Sequence, residues 1–233
     1  MTPIVIAIDG HSSTGKSTVA KKLAKALKYK YVDTGAMYRA VTLYAMRNGW
    51  INDTDVNVPE LIKNLSSINI NFEYNSEKAT NDVILNGENV EQEIRTMQVS
   101  ENVSSIAKID EVRKKLVDIQ KKLGEEKGIV MDGRDIGSVV FPDAELKIFM
   151  TASSEIRATR RYDELKNKGE DISFEEVLKN VKHRDYIDSN RENSPLIQSE
   201  DAIKIDNSQM SQQEQFETIL EFAKNTIKDS SPS

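Results

Sequence analysis

The sequence predicts an α/β protein of three layers, with a parallel central sheet between helices and an antiparallel insertion. Three observations carry that prediction. Short β-branched apolar runs alternate with stretches of helical periodicity, a glycine-containing turn joins the first such run to the first helix, and the stretch from about Ile68 to Val90 changes to strict apolar/polar alternation.

The first strand is Ile4-Val5-Ile6-Ala7-Ile8, and the helix that follows repeats Val19, Leu23, Ala26 and Leu27 at helical spacing. Between them runs Gly10-His11-Ser12-Ser13-Thr14-Gly15-Lys16-Ser17, the pattern G-x-x-x-x-G-K-S in its strand-loop-helix setting. In that setting the turn's N–H groups and the helix N-terminus converge on one anion, so residues 10–18, Thr18 included, are predicted to hold the phosphates of a nucleotide. Lys16 supplies a charge for the outer phosphates, and the Ser17 hydroxyl is placed for an accompanying Mg2+.

Tyr31-Val32-Asp33 reads as a second strand, and Thr34-Gly35 opens a helix through Met37, Val41, Tyr44 and Ala45 that stops near Gly49. Asn52 to Asp55 reads as a polar loop and Glu60 to Leu65 as a short helix. Ile68 to Tyr74 alternates as a strand with one wet face does, and Asp82-Val83-Ile84-Leu85 runs into Asn86-Gly87, a hairpin signal. Such a unit inside an α/β chain suits a lobe that covers a second substrate. Val99 to Ile106 and Val112 to Leu123 are predicted helices, Ile129 to Asp132 and Leu146 to Met150 buried strands, Ser153 to Lys168 and Phe174 to Asn190 helices joined by a polar loop. Ala202 to Asp206 is a last strand, Gln212 to Ile227 a last helix, and the tail Asp229 to Ser233 is expected to be disordered.

Composition narrows the function. The 233 residues carry a net charge of −6 with both signs interspersed, which argues against nucleic acid as the main partner. There is no cysteine, so disulfides and thiolate metal sites are excluded, and two histidines make a poor zinc site. No apolar run has the length to cross a bilayer, and a strand starting almost at Met1 leaves no room for a signal peptide, so a cytoplasmic location with no membrane partner is expected. No apolar stripe is left over once the helices cover a sheet, in keeping with a monomer.

Charged residues cluster where a phosphate site needs them. Arg39 lies one turn into the second helix, and Arg134 follows the third sheet strand in Asp132-Gly133-Arg134-Asp135. Asp132, after three apolar residues, is placed to hold Mg2+ through water; Asp33 occupies the same kind of position and is a candidate to orient metal water or substrate. Arg157, Arg160 and Arg161 share one helix face, and Arg184, Asp188 and Arg191 share one side of the next, a two-armed cationic flap that closes over a polyphosphate. The plain alternative is an exposed, salt-bridged helix pair. These parts assemble into a small phosphotransferase, in which positioning and charge cancellation do most of the catalysis.

The segments Ile8-Asp9-Gly10 through Thr18, Asp33-Thr34-Gly35-Ala36-Met37-Tyr38-Arg39, Glu93-Ile94-Arg95-Thr96, Asp132-Gly133-Arg134-Asp135-Ile136-Gly137, Val139 to Ala144 and Ala152-Ser153-Ser154 resemble, in that order, those of bacterial cytidylate kinases. The resemblance runs from the first strand to the last helix. It implies one domain, with a core of 1–36, 124–152 and 200–228, an acceptor-binding insertion of about 37–123 and a lid of about 153–192. It also implies ATP as donor, CMP and dCMP as acceptors, and Mg2+. Carried over by position, it makes Arg39 and Arg134 the clamp on the acceptor phosphate, with Thr34 in the acceptor site. Ser104, Arg113 and Asp135 become readers of the cytosine edge, Asp188 with Arg184 contacts of the sugar, and Arg157, Arg160, Arg161 and Arg191 ligands of the polyphosphate. His11 stands where the family often has proline. Cytosine offers an amino donor where uracil offers an acceptor, so Asp135 should make UMP the poorer substrate. The rivals are another small-molecule kinase of the same architecture and a nucleotide-operated switch; the guanine-reading Asn-Lys-x-Asp of many such switches is absent.

Overall fold

In the computed structural model, which describes residues 2–52, 55–75 and 80–230, the chain divides into two compact units, Met1–Val32 with Gly124–Ser233 and Asp33–Leu123. In chain order the elements are β1 (Val5–Gly10), α1 (Lys16–Leu27), β2 (Lys30–Asp33), α2 (Thr34–Arg47), β3 (Ile51–Asn52), β4 (Asp55–Val56), α3 (Val58–Lys63), β5 (Ile70–Asn75), β6 (Thr80–Leu85), β7 (Glu88–Asn89), α4 (Met97–Ala107), α5 (Asp110–Gly124), β8 (Ile129–Gly133), β9 (Leu146–Thr151), α6 (Ser154–Asn167), α7 (Phe174–Asn190), β10 (Ile203–Asp206) and α8 (Gln212–Asp229).

The first unit is built on a five-stranded sheet of order β10-β9-β1-β8-β2, sandwiched between helices. β1 sits at its centre, pairing parallel with β8 from Val5↔Ile129 and with β9 from Ile6↔Leu146. Every residue of β1 is buried, which explains its unbroken apolar run. Ile4, Ile6 and Ile8 face one core with Val19, Ala20 and Leu23 of α1 and Ile219, Ala223 and Ile227 of α8. Truncating one such side chain, Leu23→Ala for example, costs about 2–5 kcal/mol. The strand ends with Gly10 at φ 143°, where an added Cβ would lie 2.0 Å from the Met150 carbonyl oxygen of β9. No side chain fits there while the two strands stay paired.

Parallel strands place the phosphate loop, the Asp132 carboxylate and the residues after β10 at the same, carboxyl, edge of the sheet. A π turn over Ile136–Val140 follows β8, closed by Phe141 N–H to Ile136 O at 2.7 Å. Apolar periodicity carries no sign of it.

The second unit packs α2 against α4 and against β6 of a three-stranded antiparallel sheet, β5-β6-β7. Register runs from Ile70↔Leu85 to Asn75↔Thr80, and Asn86 and Gly87, at φ 50° and 88°, make the two-residue turn into β7. The stretch expected as a polar loop from Asn52 to Asp55 instead bears a two-residue ladder, Ile51↔Val56 and Asn52↔Asp55, while residues 53 and 54 lie outside the described residues. At the other end α8 continues to Asp229 with Ser230 as its C-cap, so that part of the expected tail is helical; residues 231–233 lie outside the described residues.

Candidate active site

In the phosphate loop Ser13 and Gly15 have positive φ, 60° and 87°, and Gly15 is the N-cap of α1. The Lys16 ammonium, 5% exposed, donates to the His11 carbonyl at 2.6 Å and reaches the Thr14 hydroxyl at 3.4 Å; that hydroxyl donates to the same carbonyl. Burial pushes the Lys16 pKa down to about 7, and Arg134 pushes the same way against Asp132, Asp9 and Asp188. An incoming polyphosphate supplies the anion that this buried amine lacks. The His11 ring packs edge-on to Phe149, and burial lowers its pKa.

Ser17 Oγ donates to Asp132 Oδ2 at 2.8 Å, and the Tyr31 hydroxyl holds Oδ1 at 2.8 Å. One hydroxyl and one oriented carboxylate beside a phosphate cradle suit Mg2+, which keeps much of its water and takes further ligands from phosphate oxygens. Among the described residues there is no cluster of three or more His, Cys, Asp or Glu, the arrangement a protein-only metal cage needs.

Arg134 donates through Nε to Asp188 Oδ2 at 2.8 Å. Burial opposes the guanidinium's charge, but Asp188 more than compensates and holds its pKa above the ordinary value; Asp188 in turn is held low, against burial, by Arg134 and Arg184. Arg191 donates to the Ser194 carbonyl at 2.6 Å and lies 3.9 Å from Asp135 Oδ1. Arg184 is buried with its Nε unpartnered, and burial together with Arg134 lowers its pKa to about 10. One end of the sheet thus carries Lys16, Asp132, Arg134, Asp135, Arg184, Asp188 and Arg191 in mutual electrostatic reach.

The α6 arginines are engaged differently from the solvated face that spacing alone allows. Arg157 grips Asp185 of α7 with two bonds, 2.9 and 2.6 Å, while donating to the carbonyls of Ala152 and, at 3.3 Å, Ser12 of the phosphate loop. Arg160 donates to the side chain and carbonyl of Asn207, and Arg161 to Glu164 on its own helix. Asn207, fully buried just past β10, also donates to the Thr14 carbonyl at 2.6 Å and to Gln215 at 2.8 Å. Sequence reading passed over Asn207 and Asp185; the strand end at Asp206 was the available signal for the first.

In the second unit Arg39 donates to Ser100 Oγ at 2.7 Å and the Ile94 carbonyl at 3.2 Å. Arg113 is buried, donating to the Ala107 carbonyl, with its guanidinium 5.6 Å from the Tyr38 ring centre, and Thr34 and Ser104 are buried. Asp33 accepts from the Ala36 N–H and pairs with Arg95 at 2.9 Å, which holds its pKa low against burial. One of its oxygens thus caps α2 and the other is held by Arg95, which comes from the turn before α4.

The family model described as cytidylate kinase matches residues 6–225. The chain belongs to the cytidylate kinase family. It is 58% identical over 228 residues to the cytidylate kinase of Flavobacterium johnsoniae, covering 98% of this chain and 99% of that one. With the cytidylate kinase of Parabacteroides distasonis it shares 58% over 221 residues, 95% and 96% of the two chains. Membership makes the protein a nucleoside monophosphate kinase and decides against a nucleotide-operated switch. Among the described residues no helix is long and apolar enough to cross a membrane.

Proposed function

We propose that the protein transfers the γ-phosphoryl group of ATP to CMP and dCMP by direct in-line displacement with Mg2+, giving CDP and dCDP, with UMP a poorer acceptor. The observation that carries this reading is the cluster of Lys16, Ser17 and Asp132 beside the Arg134–Asp188 pair, which couples a phosphate cradle to a guanidinium of fixed charge. Residues 10–18 hold the donor, and Lys16 exchanges the His11 carbonyl for phosphate oxygens. Mg2+, held by Ser17 and through water by Asp132, would neutralise charge on the β- and γ-phosphate oxygens. Arg39 and Arg134 clamp the acceptor phosphate, and Arg157, Arg160, Arg161 and Arg191 screen the polyphosphate as the flap closes and excludes water. Ser104, Arg113 and Asp135 seat the base of the acceptor, Thr34 belongs to the same acceptor site, and Arg184 with Asp188 seats the sugar.

Two large hydrophobic residues, Tyr186 and Ile197, stay exposed among those described, which supports action as a monomer; we place the reaction in the cytoplasm. A coupled assay with ATP and Mg2+ across CMP, dCMP, UMP and AMP tests the substrate reading. CMP and dCMP should turn over fastest and UMP more slowly, by the roughly 1–3 kcal/mol that an unmade buried hydrogen bond costs. Equal rates with all four would overturn it.

A further inference from the structure

Asp9 has no part in the steps above, yet it is buried at the end of β1, next to the first glycine of the phosphate loop. Both of its oxygens accept main-chain N–H groups, Oδ1 from Ile136 at 2.8 Å and Oδ2 from Gly137 at 2.7 Å. These two residues directly follow Arg134-Asp135 and open the π turn, in which Val139 and Val140 donate to the Asp135 carbonyl at 2.9 and 3.2 Å. The first N–H groups of a helical turn have no partner within it and take one from a local cap. Asp135 makes no such cap, and a carboxylate 127 positions earlier than Ile136 does the work.

The turn is wedged as well as tied. A Cβ on Gly137 would lie 3.1 Å from Lys147 Cδ and 3.4 Å from Asp9 Oδ2, so the chain here passes close between a strand side chain and the carboxylate. We infer that Asp9 is a positioning residue: by binding two successive amides it locks Arg134 and Asp135 to the strand that carries the donor loop, keeping acceptor groups in register with donor groups. This rests on the reading that Arg134 and Asp135 contact the acceptor nucleotide.

The groups acting on Asp9 are the two amides, Asp135 and Lys16. Burial raises the Asp9 pKa to about 6, offset in part by the Gly137 and Ile136 amides and by Lys16, with Asp135 adding to the rise. Charge on the acceptor strengthens both bonds. Asparagine keeps the shape but accepts from one amide and turns an NH2 toward the other.

Steady-state kinetics of Asp9→Asn test the inference. The KM for CMP should rise roughly 10- to 100-fold while the KM for ATP stays within about threefold, because displacement of a reacting contact by an ångström has effects of that size. The preference for CMP over UMP should fall with it, and adding Asp9→Asn to Asp135→Ala should lower that preference no further. Loss confined to kcat, as from a smaller folded fraction, or equal rises in both KM values would overturn the inference. If Asp135→Ala alone leaves the preference unchanged, the base-reading role fails; a selective rise in the KM for CMP in Asp9→Asn then still upholds the lock, acting through Arg134. Should Asp9→Asn not fold, the wild-type protein decides. Its Ile136 and Gly137 amides should be protected together from hydrogen exchange, and exchange of either at the rate of an open loop would overturn the lock.

Discussion

The two arms predicted to form a flap, α6 and α7, use one residue type in two ways. On α6 each arginine of the triplet has a protein partner: Arg157 grips Asp185 and the Ser12 carbonyl, Arg160 grips Asn207, and Arg161 pairs with Glu164. On α7 the Arg184 Nε is buried without an acceptor, and its pKa is depressed to about 10 by burial and by Arg134. A guanidinium already satisfied by the protein must give up or share those partners to meet a ligand; one left short of acceptors has fewer to give up. Arg157 and Arg184, alike in charge and burial, therefore differ in how far the protein satisfies them.

The largest effect that breaks this comparison is expected from Arg157→Ala. It leaves Asp185 without its counter-charge and severs the tie to the phosphate loop, so chemical denaturation should show a loss of about 3–5 kcal/mol, the usual result of removing one member of a buried pair. An unchanged unfolding midpoint would erase the distinction between the arms. Arg184→Ala is expected to do the reverse. Its kcat/KM for CMP should drop by about 10- to 10²-fold, the scale of a lost charged hydrogen bond to the sugar, with stability moving by less than about 1 kcal/mol, because the variant also sheds the cost of burying a guanidinium short of acceptors. A destabilisation matching that of Arg157→Ala would make both arms scaffold.

The smallest effect sharpens the contrast between charges that are fixed and one that titrates. Lys16, with a pKa near 7 in the free protein, is mostly neutral above that value, and a bound triphosphate raises its pKa and restores its charge. ATP binding at about pH 8 should therefore take up close to one proton, and at about pH 5.5 none at this group, since a site whose pKa rises on binding gains its proton above the free-state value. Calorimetry in two buffers of different ionisation heat reads this directly. The α6 guanidiniums, charged throughout, add nothing to it, and zero uptake at the higher pH would show that Lys16 is already charged before nucleotide arrives.

What was legible in the sequence was local. The phosphate loop is a run of consecutive residues whose strand and helix flank it, and Asn86-Gly87 announces its own turn by residue type, so both were readable in place. The ladder between β3 and β4 was not, because two residues per strand offer no period to detect. The π turn was hidden for another reason: its stabilising partner is Asp9, far back in the chain. Side-chain direction could be inferred for Arg157, Arg160 and Arg161 from helical spacing, but not their occupants, since Asp185 and Asn207 arrive from α7 and from beyond β10. Spacing gives a face; only tertiary structure says what already stands on it.

The contact between Gly10 and the Met150 carbonyl changes how the nucleotide motif can be probed. Any replacement at Gly10 must first pry β1 away from β9, so a dead Gly10→Ala protein would report a ruptured sheet rather than a lost ligand contact. A folded but nucleotide-blind reference protein has to be made further along the motif, where Lys16 can be shortened without touching that seam.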